Sequence, residues 1–349
     1  MVLPGYHAGM DNAIEVPKQP SGVKFRISML LFVLSDPKFR KAVIKALWHA
    51  SPFAAGTPRD AGTRKKWSLL QKFTYELMSN LNTDPTMTFI NLGYAGLETP
   101  QTITLSEENE TNRYSIQLYD YLFQFCDSKG KDVLEVGCGR GGGAGFLFET
   151  YNPKSYLGVD FAQANIAFCN RVHSENGLRF EVGRAEALSI PDCSKDIIIN
   201  VESSHCYTSP GLFFKEVHRI LKPGGMFLFA DIRGDGLTKS YQTVSMLEDQ
   251  FKALEDVSLV ERTNITNNVM RALEVAGEAE VKKWTDIVQK NLKKNSRSQQ
   301  FIEQVFEPTA RKSFSSQVPE STMSWYNLFK KGKAQYWSYV FRKNDSQAA

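Results

Sequence analysis

Residues 132–145 read D-V-L-E-V-G-C-G-R-G-G-G-A-G. An apolar run (Val133, Leu134, Val136) stops at a cluster of glycines, after which small and apolar residues continue into Phe146 and Leu147. That order is strand, tight turn, helix. Glycine lets the backbone turn sharply and lets a ligand come close to the amides. Gly137, Gly139 and Gly142 satisfy G-x-G-x-x-G, a pattern that carries weight only between a strand and a helix.

The alternation repeats downstream. Strand signals fall at 155–160 (SYLGVD), 178–183 (LRFEVG), 196–201 (DIIINV) and 226–232 (MFLFADI), with helical stretches at 142–150, 162–176 and 210–222. Apolar strands separated by helices predict an α/β fold, a doubly wound and mostly parallel sheet covered on both faces. Residues 241–254 read as a helix, 256–263 as a strand and 265–331 as mostly helix. YWSYVFRK (336–343) is alternating and aromatic, and reads as a final strand with the helical insertion before it as a lid. Upstream, 67–82 reads as helix. Asn112 or Thr111 can cap another helix carrying Tyr119, Leu122, Phe123 and Cys126 and ending near Gly130.

Composition narrows the function class. With 349 residues, 42% hydrophobic and 23% charged, the chain is an ordinary globular one. The longest apolar stretch, Ile27–Leu34, is far short of the roughly 20 residues that span a membrane. The first residues lack the pattern of a secretory signal. Five scattered cysteines, without a CxxC pair or a Cys/His cluster, predict free thiols in a reducing, cytoplasmic setting and no metal site. A net charge of +4 gives no case for nucleic acid.

The charge is unevenly placed. Residues 1–66 hold 11 Lys and Arg against 4 Asp and Glu, leaving the remainder slightly negative. Phe39, Val43, Ala46, Leu47 and Ala50 share one helical face, with Arg40, Lys41 and Lys45 towards the other. Such a helix can lie on an anionic membrane surface or dock on the protein body. Residues 51–66 resemble a linker. The expected organisation is a basic extension (1–66), a helical segment closing over the site (67–112), a core (113–263), a helical lid (264–332) and the final strand (333–345).

Two ligands compete for the glycine loop. A dinucleotide brings a pyrophosphate, which suits a helix N-terminus. S-adenosylmethionine brings an ammonium, a carboxylate and a sulfonium. Glu135, two residues before the first glycine, opposes a phosphate and favours a cation. Asp160, at the end of the second strand, can accept hydrogen bonds from both ribose hydroxyls.

Taken in order, LEVGCGRGGG, YLGVDF, GRAEALSIPDCSKDIII and LKPGGMFLFADI resemble the class I S-adenosylmethionine-dependent methyltransferases. The resemblance covers residues 113–232 and is strongest to the small-molecule group, which includes phthiotriolone dimycocerosate methyltransferase and macrolide and sugar O-methyltransferases. It implies a seven-stranded Rossmann-like sheet with an antiparallel last strand. It places Glu135, Gly137, Cys138 and Gly139 around the methionine end of the cofactor, Asp160 on the ribose, Phe161 beside the adenine, and Ala185 and Glu186 at the adenine edge. Family members often carry an acidic residue just before that alanine. Here Arg184 stands there, so the adenine contact passes to a backbone carbonyl or to Glu186. FINLGYA (89–95) resembles the segment that closes over the cofactor, and Tyr94, Cys206 and Tyr207 are candidates for the acceptor pocket.

An alcohol is a poor nucleophile until its proton is drawn away, so O-methylation benefits from a general base. His205 lies just beyond the fourth strand, at the end of the sheet where ligands of open α/β folds bind. Asp231 ends the fifth strand and can hold the imidazolium. In related sugar O-methyltransferases a His at this position acts in catalysis with the matching Asp. The remaining histidines fall on the front segment or on helices and read as structural. The leading reading is O-methylation of a hydroxyl on an apolar small molecule: a polyketide, lipid, terpenoid or glycoside. The alternatives are C-methylation of a sterol, quinone or prenylated ring, a nicotinamide-dependent oxidoreductase, and a non-catalytic cofactor-binding module.

Overall fold

The computed structural model describes residues 72, 75–76, 79–80, 84–98, 103–173, 175–234, 249–250, 254, 256–276 and 325–345. The expected basic helix at 39–50, the linker at 51–66 and most of the lid lie outside the described residues, as do most of the helix at 241–254 and part of that at 67–82. The described residues of 72–80 are helical.

In chain order the elements are α1 (Glu107–Glu110), α2 (Arg113–Phe123), β1 (Asp132–Val136), α3 (Gly142–Tyr151), β2 (Ser155–Asp160), α4 (Gln163–Val172), β3 (Leu178–Val182), β4 (Lys195–Val201), a 3-10 turn (Ser204–Cys206), α5 (Pro210–Ile220), β5 (Leu221–Arg233), β6 (Val257–Asn264) and β7 (Gln335–Lys343). Residues 266–276 and 325–330 are helical as well. The seven strands form one sheet in the order β3-β2-β1-β4-β5-β7-β6. All pairs from β3 to β5 are parallel, and β7 runs antiparallel to both of its neighbours, as the resemblance implied. The reversal of strand order on either side of β1 opens a crevice at the carboxyl ends of β1 and β4, where such folds bind ligands.

Strand side chains alternate between faces, and the sheet is covered on both. In β4, Ile197 and Ile199 enter one core with Ile116, Leu122 and Leu147, whereas Ile198 enters the other with Phe213, Phe214 and Val217. Pro210 starts α5 at its first turn, where its missing N–H costs nothing. Residues Lys222–Gly225, before the strand expected at 226–232, are part of β5. Lys195 pairs with Leu221 and Ile197 with Met226, so the intervening residues bulge, and Gly224 takes φ +74°. The helix carrying Tyr119 ends at Phe123, which leaves Cys126 beyond it, and Asn112 at its start makes no side-chain cap. No helix among the described residues is long and apolar enough to cross a membrane.

Candidate active site

A solvent-open cavity, with about 1100 Å³ of empty space counting the solvent at its mouth, lies at the carboxyl ends of β1, β2 and β4. Its wall includes Gly137, Cys138, Gly139, Asp160, Phe161, Ala185, Glu186, Cys206 and Tyr207, all singled out from sequence. The segment around 88–91 crosses it, with Thr88, Phe89, Ile90 and Asn91 also on the wall.

The glycine loop needs its glycines for two reasons. Gly137 has φ +80°, and a Cβ there would sit 1.8 Å from Ser203 Oγ. A Cβ on Gly143 would lie 2.1 Å from the Tyr119 ring. The first amide of α3, Gly142 N, donates to Thr88 O at 3.2 Å. A donor that a pyrophosphate would use is therefore already taken by the crossing segment. At the next helix the Glu76 carboxylate accepts from Gln163 N at 2.7 Å and Ala164 N at 3.1 Å, capping α4.

Asp160 lines the cavity, but its carboxylate already accepts from Gly139 N (3.0 Å), Ala162 N (2.8 Å) and Asn165 Nδ2 (3.2 Å). A carboxylate has about four acceptor positions, so roughly one remains for a ribose hydroxyl rather than the two expected. Burial pushes its pKa up to about 6. Glu186 holds Thr208 through its backbone N (2.7 Å) and Oγ1 (2.6 Å), with Arg184 Nη2 3.7 Å from its other oxygen. Glu186 is thus fixed on the cavity wall, and Arg184 is largely exposed beside it.

Glu135 is placed otherwise than expected. It is fully buried, off the cavity wall, and accepts from Tyr119 OH at 2.8 Å and Tyr156 OH at 2.9 Å. Alternation in β1 puts Val133 and Glu135 on the α2 face and Leu134 and Val136 on the other, so the side chain points beneath the loop. Burial pushes its carboxyl up to about 7. Tyr94, expected in the acceptor pocket, stacks on Tyr121 with ring centres 4.5 Å apart and is off the wall of this cavity. Its backbone N is tied to Tyr114 O at 2.9 Å.

His205 and Asp231 meet directly behind the wall. His205 Nδ1 lies 2.8 Å from Asp231 Oδ1, and the next residue, Cys206, faces the cavity. The carboxylate is fully enclosed. Oδ1 also accepts from Ile232 N at 2.7 Å, and Oδ2 from Ser204 Oγ at 2.5 Å and His205 N at 3.1 Å. Burial alone would raise the Asp231 carboxyl, but the imidazole, Arg233 and Ser204 outweigh it and hold it well below the ordinary range. Burial alone would lower His205. The Cys206 sulfur and the Asp231 carboxylate outweigh that, and the imidazole is held well above its usual value.

Glu202 is the residue that sequence reading missed. It is buried on the cavity wall with φ +46°, a conformation that costs a non-glycine residue about 1–3 kcal/mol. Oε1 accepts from Leu92 N and Tyr336 OH, both at 2.8 Å. Oε2 has no hydrogen-bond partner among the described residues, and burial pushes the carboxyl up to about 7. The available signal was its place, the first residue after β4 in V-E-S-S-H.

These carboxyls link stability to pH. Glu135, Asp160 and Glu202 have folded values above their unfolded 4.5, 3.8 and 4.5. Each contribution is fully present below the unfolded pKa and is lost as pH rises through the folded value. The raised His205 acts in the same direction. Thermal unfolding should therefore show the melting temperature falling between pH 5 and pH 8. Glu135→Gln should remove a share on the order of 1–3 kcal/mol from that slope. A slope unchanged by the substitution would contradict the assignment.

Known proteins match this arrangement. The family described as "Methyltransferase domain" matches residues 134–229. The fatty-acid O-methyltransferase of Mycolicibacterium smegmatis is 46% identical over 163 residues, 47% of this chain and 59% of that protein. A probable phthiotriol/phenolphthiotriol dimycocerosates methyltransferase 2 of Mycobacterium ulcerans is 40% identical over 188 residues, 54% of this chain and 71% of that protein. The match thus spans little more than half the length of the first of these relatives. Among solved structures, the [4+2]-cyclase SpnF superposes with a TM-score of 0.58 at 15% identity, over 84% of this chain and 100% of that one. That likeness concerns the fold, which serves more than one chemistry. The identity extending across most of the Mycobacterium ulcerans protein, over a sheet and glycine loop of the matching architecture, settles the family: this chain is a member of the class I S-adenosylmethionine-dependent methyltransferases.

Proposed function

We propose that this chain moves a methyl group from S-adenosylmethionine to an oxygen of an apolar small molecule, with His205 taking the acceptor's proton. The observation that carries the reading is the His205–Asp231 pair, 2.8 Å apart, its carboxylate buried and its imidazole partly exposed, one residue from the cavity wall. The cavity residues fit the donor chemically. Glu202 offers an unpaired carboxylate oxygen to the cationic end, Asp160 keeps an acceptor position for the ribose, and Phe161 supplies an apolar face for the base. Bound S-adenosylmethionine would supply an electrophilic methyl group and leave as a neutral thioether, while His205 would take the proton of the acceptor hydroxyl. Asp231 orients the ring and stabilises the imidazolium, and holding the acceptor in line supplies much of the remaining rate.

Lipidic acceptors suit the site. The relatives named above are a fatty-acid O-methyltransferase and a probable phthiotriol/phenolphthiotriol dimycocerosates methyltransferase, and the wall of this cavity carries Tyr75, Phe89, Tyr119 and Phe161. Glu202 favours a second reading, C-methylation, in which its free oxygen stabilises a carbocation formed on an alkene. Incubation with carbon-labelled donor and lipid extracts, followed by NMR of the product, separates a methoxy carbon from a C-methyl carbon. Calorimetry showing no uptake of the donor or of its demethylated product would overturn both readings.

Asp231, 2.8 Å away, favours the protonated imidazole and holds its pKa above the usual value, and the ring must lose that proton before acting as a base. The donor brings net positive charge next to the pair, and in a dry site that repulsion favours release. Donor binding should therefore release close to one proton near neutral pH, whereas the neutral demethylated product should release much less. Calorimetry in two buffers of different ionisation enthalpy measures the difference. Equal release by both ligands would contradict the coupling.

A further inference from the structure

A buried arginine stands beside the His205–Asp231 pair and has no part in the scheme above. Arg233 ends β5 two residues after Asp231, on the strand face of Phe229, whose ring centre lies 5.0 Å from its guanidinium carbon. Its side chain is 2% exposed, in a residue type that is always charged and seldom fully buried. Nη1 lies 3.5 Å from Asp231 Oδ2 and donates to Ile232 O at 2.7 Å, and Nη2 reaches Ser204 Oγ at 3.4 Å. Nε has no hydrogen-bond partner among the described residues. Hydrogen bonding alone does not account for burying this side chain, since a donor is left unsatisfied and desolvation of a cation is costly. What the position retains is the charge, held against the carboxylate oxygen opposite the one that meets His205.

We infer that Arg233 is a positioning residue for the His205–Asp231 pair: its cation shares the carboxylate with the imidazole and weakens the hold of Asp231 on the ring's proton. The inference rests on the reading of His205 as proton acceptor. An isolated buried aspartate would hold an imidazolium tightly. With Arg233 on Oδ2 the aspartate is already compensated, and a proton on His205 leaves the cluster net positive in a low-dielectric setting. The described titratable and charged groups facing the pair are Cys206 in the same turn, Glu202 at the end of β4, Tyr336 on β7 and Tyr75 from the upstream helix through Cys206. To these Arg233 adds a cation, 3.5 Å from Asp231 Oδ2. Ser204 joins the two halves, donating to Asp231 Oδ2 and accepting from Arg233 Nη2.

Two variants separate charge from shape. Arg233→Gln keeps an amide donor and loses the charge, whereas Arg233→Lys keeps the charge and loses the planar fork. NMR titration of the His205 ring in the full chain, and the acid limb of the kcat profile, are the readouts. The Gln variant should raise the His205 pKa by about one unit and move the acid limb with it, a roughly tenfold loss of kcat below the limb with KM little changed. The Lys variant should stay within a few tenths of a unit of wild type. A Gln variant that titrates as wild type, or Gln and Lys variants shifted equally, would overturn the inference and leave a structural role. If the Gln protein folds poorly, it and Arg233→Met are titrated with the demethylated product bound, which stabilises the folded state. The titration needs no turnover. Activity surviving in His205→Ala would remove the proton-acceptor reading, while the titration still decides whether Arg233 sets the imidazole's proton affinity.

Discussion

Replacing His205 with alanine should lower methyl transfer by roughly 10²–10⁴-fold while the affinity for the donor stays within a few-fold of wild type. The asymmetry follows from where the side chain lies. His205 is behind the wall, tied to Asp231 at 2.8 Å, whereas the wall itself is made by the glycine loop, Asp160, Phe161 and Glu186. On the proposed scheme, removing the imidazole takes away the proton acceptor and leaves the cavity wall in place. It also leaves Asp231 with Ser204, Ile232 and Arg233 as partners, so the buried carboxylate is not stranded and the fold survives. Single-turnover transfer from labelled donor gives the rate, and calorimetry gives the affinity. Turnover within tenfold of wild type would show that the acceptor loses its proton elsewhere, for which Glu202, with its raised carboxyl and free oxygen, is the structural alternative.

Gly143→Ala should destabilise the fold by about 3 kcal/mol or more, although alanine is the better helix former by roughly 1 kcal/mol. The added Cβ would stand 2.1 Å from the Tyr119 ring, a separation that no flexible end can relieve, because the ring atom is buried. Tyr119 cannot simply turn away. Its hydroxyl donates to Glu135, which is fully buried and has Tyr156 as its other phenol partner. Displacing the ring adds an overpacking cost to a half-satisfied carboxyl, two of the mechanisms behind large mutational losses. For a protein of this size that corresponds to a fall of about 4 °C or more in melting temperature. Tyr119→Leu in the same chain should recover part of the clash energy, giving a favourable coupling in a double-mutant cycle. A Gly143→Ala protein melting with wild type would mean that α2 moves away from the loop at little cost.

The doubly wound sheet, its five parallel strands and the site at their carboxyl ends were legible in the order of residues. Those features are local. Apolar runs such as 196–201 declare strands, the glycines of 137–145 declare a turn of positive φ, and the topology of open α/β sheets places the ligand. His205 and Asp231 could be singled out for the same reason, since both lie near the carboxyl ends of strands at the crevice, one in the turn after β4 and the other two residues before the end of β5. The facing of individual side chains was not legible. Glu135 precedes the glycine loop as a cofactor-binding carboxylate would, yet the pleat turns it onto two tyrosines, one of them on a helix that precedes β1 and one on the neighbouring strand. Glu202 and Arg233 read as ordinary charges at strand ends. Their roles arise because segments distant in sequence meet there: Leu92 and Tyr336 around Glu202, and the 204–206 turn against β5 around Arg233. Periodicity is a property of consecutive residues and survives in the sequence alone. Burial, charge compensation and the partner of a carboxylate belong to atoms brought together by packing, and only the folded chain specifies them.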